Sequence, residues 1–456
     1  MGMPLARANP DGTPTDALSW ALTAGVTHSD NIGRTTDDRT SDSIAQLGLQ
    51  LGLMDLRPRL VTQLQTNLSY WEFLHSSFKS QLVGGANGGL QLSILPERFT
   101  WTLHDNFGQV AVDPTAVVTP GNMQNVNLFT TGPNITLPLG GSVNTLALQG
   151  LYSKSNYGTT NQDNHQYLGS LALQHKLSAR TTVSLTGTDT HTVYENSVVG
   201  GGFDVREASL GIDAVGIRTS LSGSAGYTQL KYLGQTHDGL LARLGLTRLI
   251  GSRSQLALEL GTEYSDSASD FAQGQEFQGV QGTGGTAGGA AVIPGGALIP
   301  GGGPLLVGGA AGVPGGVSLA TVSTDPYKSD YASAIWNLIG SRNQLSVDFT
   351  LRKESHQQQT DLNRRLGTAT VTLSRRLSPL LIVNANGTYT RQRFEQVDID
   401  VNSWSLGAGV DWTMTRTIAL QARFDRQDGS GTGPQRNYTE DRIYVGISYS
   451  DGRRAR

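Results

Sequence analysis

The chain has 456 residues, of which 16% are charged, 37% are hydrophobic and 58 are glycine, with a formal net charge of −3 and no cysteine. That balance leaves no large core for two or three soluble domains, offers no basic face to nucleic acid, and excludes disulfide frameworks and thiolate metal sites. No run of about 18 apolar residues exists to form a transmembrane helix, so only strands could carry this chain across a bilayer.

At the start, Met1 to Ala8 is too short for a signal peptide with its apolar stretch, yet Ala6-Arg7-Ala8 has the small-x-small form of a cleavage site and a polar segment follows at Asn9. Residues 1–16 are therefore expected to be a residual signal or N-terminal segment, with the true start upstream or the signal trimmed. Leu18 to His28 reads as a first strand, and a charged loop spans Ser29 to Asp42. Ile44 to Leu53 then returns with Leu47, Leu49, Leu51 and Leu53 on one face and Gln46, Gly48, Gln50 and Gly52 on the other. Leu60 to Tyr70 keeps the rule, with Gln63, Gln65 and Asn67 on its polar face. Further on, Thr102 and His104 share a polar face, where His104 reads as a lining residue in preference to a metal ligand. Arg243 also falls on the non-lipid face, as do Glu259 opposite Leu258 and Leu260, Asp348 and Arg352 opposite Val347, Phe349 and Leu351, and Gln421 and Arg423 opposite Leu420, Ala422 and Phe424. Asn384 and Asn386 are further lining candidates.

Ser403 to Trp412 is the most informative stretch. Trp404, Leu406, Ala408, Val410 and Trp412 fall on one face, and Ser403, Ser405, Gly407, Gly409 and Asp411 on the other. The segment between the two tryptophans, tilted by roughly 40°, spans about 20 Å of membrane normal, close to the apolar band of a barrel. Indole rings favour the membrane-water interface. Trp20, Trp101, Trp336 and Trp412 lie near short-turn ends, with Tyr449 on the last strand. Tyr70, Trp71, Tyr152, Tyr167, Tyr194, Tyr264 and Tyr331 lie near long-loop ends, which predicts two interface girdles together with Trp404.

Short turns such as Leu95-Pro96-Glu97-Arg98 and Leu377-Ser378-Pro379 alternate with longer polar segments, among them Ala111 to Asn125, Tyr232 to Asp238 and Asp266 to Lys328. Tight turns on one side and long loops on the other are expected of a bacterial barrel. The pattern predicts an all-β fold: a single antiparallel up-and-down transmembrane β-barrel of about 20 strands (18–20) over residues 17–450, with a charged C-terminal tail at 451–456. Phe99 to Leu137 can be divided into strands in more than one way. The longest loop, 266–328, contains a stretch from Gly279 to Thr324 with no charged residue and dense Gly-Gly pairs; it reads as a low-complexity insertion, with a lid or plug as the alternative.

Asp189, His191 and Glu195 cluster near a long-loop end, but no nucleophile motif accompanies them, so they read as rim polar groups and the chain as a non-enzyme. No pattern for zinc, calcium or phosphate binding stands out, and no cofactor is expected. Residues 22–53, with Ser29-Asp30-Asn31-Ile32 after the first strand, the third strand ending Tyr70-Trp71, and Asp105-Asn106-Phe107-Gly108-Gln109 together resemble the outer-membrane barrels of exopolysaccharide loci. These are known as β-barrel porin type 2 or exosortase-associated polysaccharide proteins. The resemblance covers the first third of the chain, implies a polysaccharide export conduit and carries no catalytic residue. The expected setting is the bacterial outer membrane, with its lipid, a polysaccharide or small hydrophilic solute, and periplasmic export proteins as partners. A general diffusion porin and a structural or adhesive surface barrel are the other readings.

Overall fold

The computed structural model of the chain describes residues 16–141, 143–196, 201–271, 322–432 and 436–450. The expected N-terminal remnant up to residue 15, the charged tail, and residues 272–321 of the Gly-rich loop lie outside the described residues. Period-two patterning becomes strands β1 (Asp16–Ser29), β2 (Asp42–Arg57), β3 (Leu60–Phe73), β4 (Gln81–Leu95), β5 (Phe99–Ala111), β6 (Met123–Leu139), β7 (Asn144–Tyr157), β8 (Asn164–Ser178), β9 (Thr181–Tyr194) and β10 (Phe203–Val215). The second half continues with β11 (Thr219–Tyr232), β12 (Gln235–Leu249), β13 (Ser254–Ser265), β14 (Tyr327–Ile339), β15 (Asn343–His356), β16 (Arg364–Ser378), β17 (Leu381–Phe394), β18 (Ile399–Thr413), β19 (Ile418–Gly431) and β20 (Tyr438–Ser450). Each strand pairs antiparallel with its sequence neighbours, and β20 pairs with β1, closing a twenty-stranded barrel. Closure leaves no unpaired edge, which is what allows strands to stand in lipid.

Alternation sorts the two faces. Leu18, Leu22, Val26, Leu47, Leu49, Leu406, Val410, Ile443, Val445 and Ile447 all project outward and are exposed. A continuous apolar belt of this kind suits lipid and not water. Trp20 stands 5.7 Å from Tyr449 on this outer face, and Tyr70, Trp101, Trp404 and Trp412 are exposed there as well. At the closing seam the inward Tyr444 of β20 lies over Gly25 of β1; a Cβ on Gly25 would sit 2.5 Å from the tyrosine ring. Any side chain there would require the ring to shift.

Three aromatic assignments need correction. Trp71 follows Tyr70, and successive residues of a strand point to opposite faces; Tyr70 faces out, while Trp71 is 2% exposed and packs inside against Ile44, Phe73 and Val83. Tyr194 also turns inward, among Phe203, Leu230 and Tyr232, and Tyr331 lies on the inner wall over Gly261. The alternation of short and long connections is likewise not strict. The expected long segment Tyr232 to Asp238 is a two-residue turn, Leu233-Gly234, whose φ angles of 48° and 76° fit a tight hairpin. Phe99 to Leu137 resolves into β5 and β6, joined by residues 112–122.

Candidate functional site

The inner wall carries Gln63, Gln65 and Asn67 on β3, Thr102 and His104 on β5, Arg243 on β12, Glu259 on β13, Asp348 and Arg352 on β15, Asn384 and Asn386 on β17, Asp411 on β18, and Gln421 and Arg423 on β19. Some of these meet. The Asn384 amide donates to Asp411 at 2.6 Å, and Arg423 lies 3.8 Å from the same carboxylate. Arg243 bonds Glu263 and lies 3.5 Å from Glu207. Gln63, Gln65 and Asn67 line the wall without joining either group. Asp189 and His191 face outward, against Arg206 and Asp204, so the polar groups near that rim do not converge on the lumen.

Burial along the inner face is graded. On β3, Gln63 and Gln65 are exposed and Asn67 is half-buried, while Ser69, Trp71 and Phe73 are buried. On β5 the same order runs from exposed His104 through buried Asn106 to Val110. The lumen is thus open and wet toward the short turns and packed toward the long loops.

Trp71 and Phe73 are packed by Ile32 and Phe78 of the neighbouring loops, and two further chain segments fold into the mouth. Residues 266–271, helical from 267 to 271, and residues 322–326 fold into the mouth as one strap, joined where the Ser267 hydroxyl donates to the Ser323 carbonyl at 2.8 Å and accepts from the Ser323 N–H at 2.9 Å. One side of the strap rests on β5 to β8: Phe271 and Val322 pack with Val110, Val126, Leu128 and Tyr157, and the Gln166 amide donates to Asp266 at 3.2 Å. Its other side is held by β15 and the loop after it. Arg352 pairs with the buried Asp270, Ser323 donates to Gln359 at 2.8 Å, and Asp325 accepts the backbone N–H groups of Gln358 and Gln359, each at 2.7 Å. The second strap is the β5–β6 connection. Its Pro114 carbonyl accepts from Gln392 of β17 at 3.2 Å, and its Val118 carbonyl accepts from Arg34 in the β1–β2 loop. Arg34 in turn is fixed by Glu440 at 2.9 Å.

Burial pushes the carboxyl of Asp266 above the ordinary carboxylate range, against the backbone N–H of Ser269. It does the same to Asp325, against the N–H groups of Gln359, Gln358 and Gln357. Beneath the strap, Glu354 and Arg364 form a buried cross-strand ion pair, 2.7 Å between Nε and Oε2. Of all these groups, the lining reading of the sequence anticipates Arg352 alone. The strap residues carry no periodic signal, and their partners lie far away in the chain, so only the folded barrel brings them together.

Residues 354–450, from the end of β15 to β20, match the family described as "Putative beta-barrel porin 2". The match falls on the C-terminal strands, whereas the motifs that carry the resemblance in the sequence lie in the first third. No curated protein matches the chain. Among solved structures, the siderophore receptor PirA of Pseudomonas aeruginosa is similar over 96% of this chain and 80% of its own, with 10% identity and a TM-score of 0.42. A ferric enterobactin receptor (PfeA) mutant from Pseudomonas aeruginosa is similar over 95% and 80%, with 9% identity and a TM-score of 0.45. OccK2 (OpdF) of Pseudomonas aeruginosa, in complex with glucuronate, is similar over 95% and 98%, with 8% identity and a TM-score of 0.37.

Proposed function

We propose, from the premise that residues 354–450 match the β-barrel porin 2 family, that this chain is a bacterial outer-membrane conduit for a hydrophilic solute. In this reading it is entered from the short-turn side and closed at the long-loop end, and the solute it fits best is an exopolysaccharide on its way out. The observation that carries the reading is the graded inner face, exposed at Gln63, Gln65 and His104, packed at Trp71 within its own apolar cluster, and covered at Val110 by a strap bonded to both sides of the mouth. Barrels of this class place short turns in the periplasm and long loops outside, so the open vestibule faces the compartment in which an exported polymer arrives. A wall of Gln, Asn, Ser and Thr exchanges hydrogen bonds with sugar hydroxyls without holding any of them strongly. Such a conduit needs no catalytic residue and no cofactor. Its partners are the surrounding lipid, the polymer, and periplasmic export proteins at the short turns.

Single-channel current across a planar bilayer tests this, with the intact chain compared with Arg352→Ala. Removing the guanidinium leaves Asp270 buried and uncompensated, at a cost of about 3–5 kcal/mol, which is enough to release the strap. Low current in the intact protein, a several-fold rise in the variant, and block of that current by neutral oligosaccharides added at the short-turn side are the expected results. Large steady current from the intact chain, indifferent to sugars, would establish a diffusion porin instead. Folded protein silent in both forms would point to a structural or adhesive surface barrel.

A further inference from the structure

Above the aromatic level of the outer wall, charged side chains ring the long-loop rim, and their strand register follows a rule with one exception. Across most of the rim, opposite charges or a charge and its hydrogen-bonding partner face each other directly: Arg206 opposite Asp189, Asp204 opposite His191, and Asp441 opposite Arg426. Lys154 and His165 are opposite each other but share Glu195, at 3.1 and 2.9 Å. On β15 to β17 the rule fails. Lys353 stands directly opposite Arg365, and Arg365 directly opposite Arg393. These three cations form one row across three adjacent strands, about 10 Å wide at the usual strand spacing.

Like charges placed directly opposite destabilise a sheet. Only part of that cost is offset here: Glu395 holds Arg365 at 2.7 Å, and Asp400 holds the neighbouring Arg391 at 2.8 Å. Lys353 and Arg393 have no ion-pair partner among the described residues. Two acids do stand in register with them, but both are turned elsewhere: Asp330, opposite Lys353, to the Thr262 hydroxyl at 2.6 Å and to Lys328 at 3.7 Å, and Asp400, opposite Arg393, to Arg391. The row therefore keeps a surplus of positive charge. It also has a defined height. Tyr389 and Trp404, opposite each other and exposed on the outer face, mark the aromatic level. Arg393 lies four residues beyond Tyr389 on the same face, which is about 10 Å along the membrane normal for a tilted strand. That is where the headgroups of the surrounding lipid stand. Arginine offers a planar fork matched to phosphate oxygens, and a phosphate monoester carries the charge the row lacks.

We propose that Lys353, Arg365, Arg391 and Arg393 form an outer-wall site for the phosphate groups of a glycolipid in the surrounding outer leaflet. The site rests on the outer-membrane placement proposed above.

The purified full-length protein in detergent is offered a bisphosphorylated, acylated glucosamine disaccharide and, separately, the same lipid with its phosphates removed, and the lipid retained is read by native mass spectrometry. About tenfold greater retention of the phosphorylated form is expected, since one or two charge-assisted hydrogen bonds account for that ratio. The combined variant Lys353→Gln, Arg365→Gln, Arg393→Gln should lose the preference. A control variant, Arg206→Gln with Arg426→Gln, removes two other outward arginines of the rim and should keep it. Heat-dependent gel mobility reports whether each variant is folded, and if the triple variant is not, the comparison of the two lipids on the unmodified protein still decides. Equal retention of both lipids, or equal loss in the control variant, would overturn the site, as would displacement of the lipid by low millimolar inorganic phosphate, which would assign the row to a free anion. Membrane fractionation of cells tests the outer-membrane placement by itself: absence from the outer membrane sinks that reading, whatever the purified protein binds.

Discussion

Asp266 joins the strap to the inner wall through a carboxylate that burial has made reluctant to ionise. Its side chain accepts from Gln166 and from the Ser269 N–H, and Asp270, Tyr157 and Tyr194 are its charged or titratable surroundings. With the carboxyl in place its pKa stands above the ordinary value of 3.8; once the strap is released into water the ordinary value returns. The strapped form thus holds its proton more tightly. Its advantage is complete below the ordinary value and is lost as pH rises through the raised one, each unit of difference amounting to about 1.4 kcal/mol. Asp325 adds to the effect in the same direction. Acidification should therefore favour closure, and current should grow as pH is raised from about 4 toward neutrality. Asp266→Asn with Asp325→Asn, which cannot ionise, should flatten the curve. A current independent of pH in the unmodified protein, or an unchanged slope in the double variant, would show that these carboxyls do not bear on the strap.

Between elements, the closing seam makes the sharpest demand on side-chain size. β20 meets β1 with the Tyr444 ring laid over Gly25. Gly25→Val would drive two methyl groups into that ring, and overpacking of this kind costs about 1–3 kcal/mol. Gly169, on the outer face of β8, provides the matched control, because a Cβ added there would meet nothing within 4 Å. The temperature at which the barrel unfolds, followed by its change in gel mobility, should fall for Gly25→Val and hold for Gly169→Val; equal behaviour of the two would mean that the seam does not limit stability. Strand identity is the part of this architecture that sequence makes legible, because period-two patterning is local: Leu47, Leu49 and Leu51 against Gln46, Gly48 and Gln50 suffice to place β2. The same rule, applied strictly, separates Tyr70 from Trp71, since neighbours on a strand cannot share a girdle. The Leu233-Gly234 hairpin is hidden because its positive φ values fall in a segment as polar as a longer loop. The straps are hidden for a different reason. Arg352 and Asp270 are 82 positions apart, and Gln392 and Pro114 are 278 apart, so nothing in either neighbourhood announces the other.

At the scale of the whole barrel, the open part of the lumen has an uneven charge. The inward positions of β10 to β16 carry Glu207, Asp213, Glu259, Glu263, Asp348 and Glu354 against Arg243, Arg352, Arg364 and Arg376, with Glu354 already neutralised by Arg364. Around β18 to β20 the balance is closer, with Asp411, Asp425 and Glu440 facing Arg423 and Arg442. Acids thus outnumber bases along one continuous arc, and Asp213, Glu259 and Asp348 reach into its wetter half. Charge of one sign on the low-dielectric wall of a cleft concentrates counter-ions near it. Once the strap is released, as in Arg352→Ala, the conduit should pass potassium more readily than chloride, a variant that itself strengthens the acidic surplus by removing one cation. The reversal potential under a salt gradient measures this directly, and the preference should weaken at molar salt, where screening length shrinks to about 3 Å. Glu259→Lys with Asp348→Lys, added to the opened variant, should carry the preference toward chloride without closing the pore. If reversal stays at the same potential after both charges are inverted, the arc is too far from the permeation path to govern it, and the solute must pass along the Asn384, Asn386 and Gln421 side of the wall.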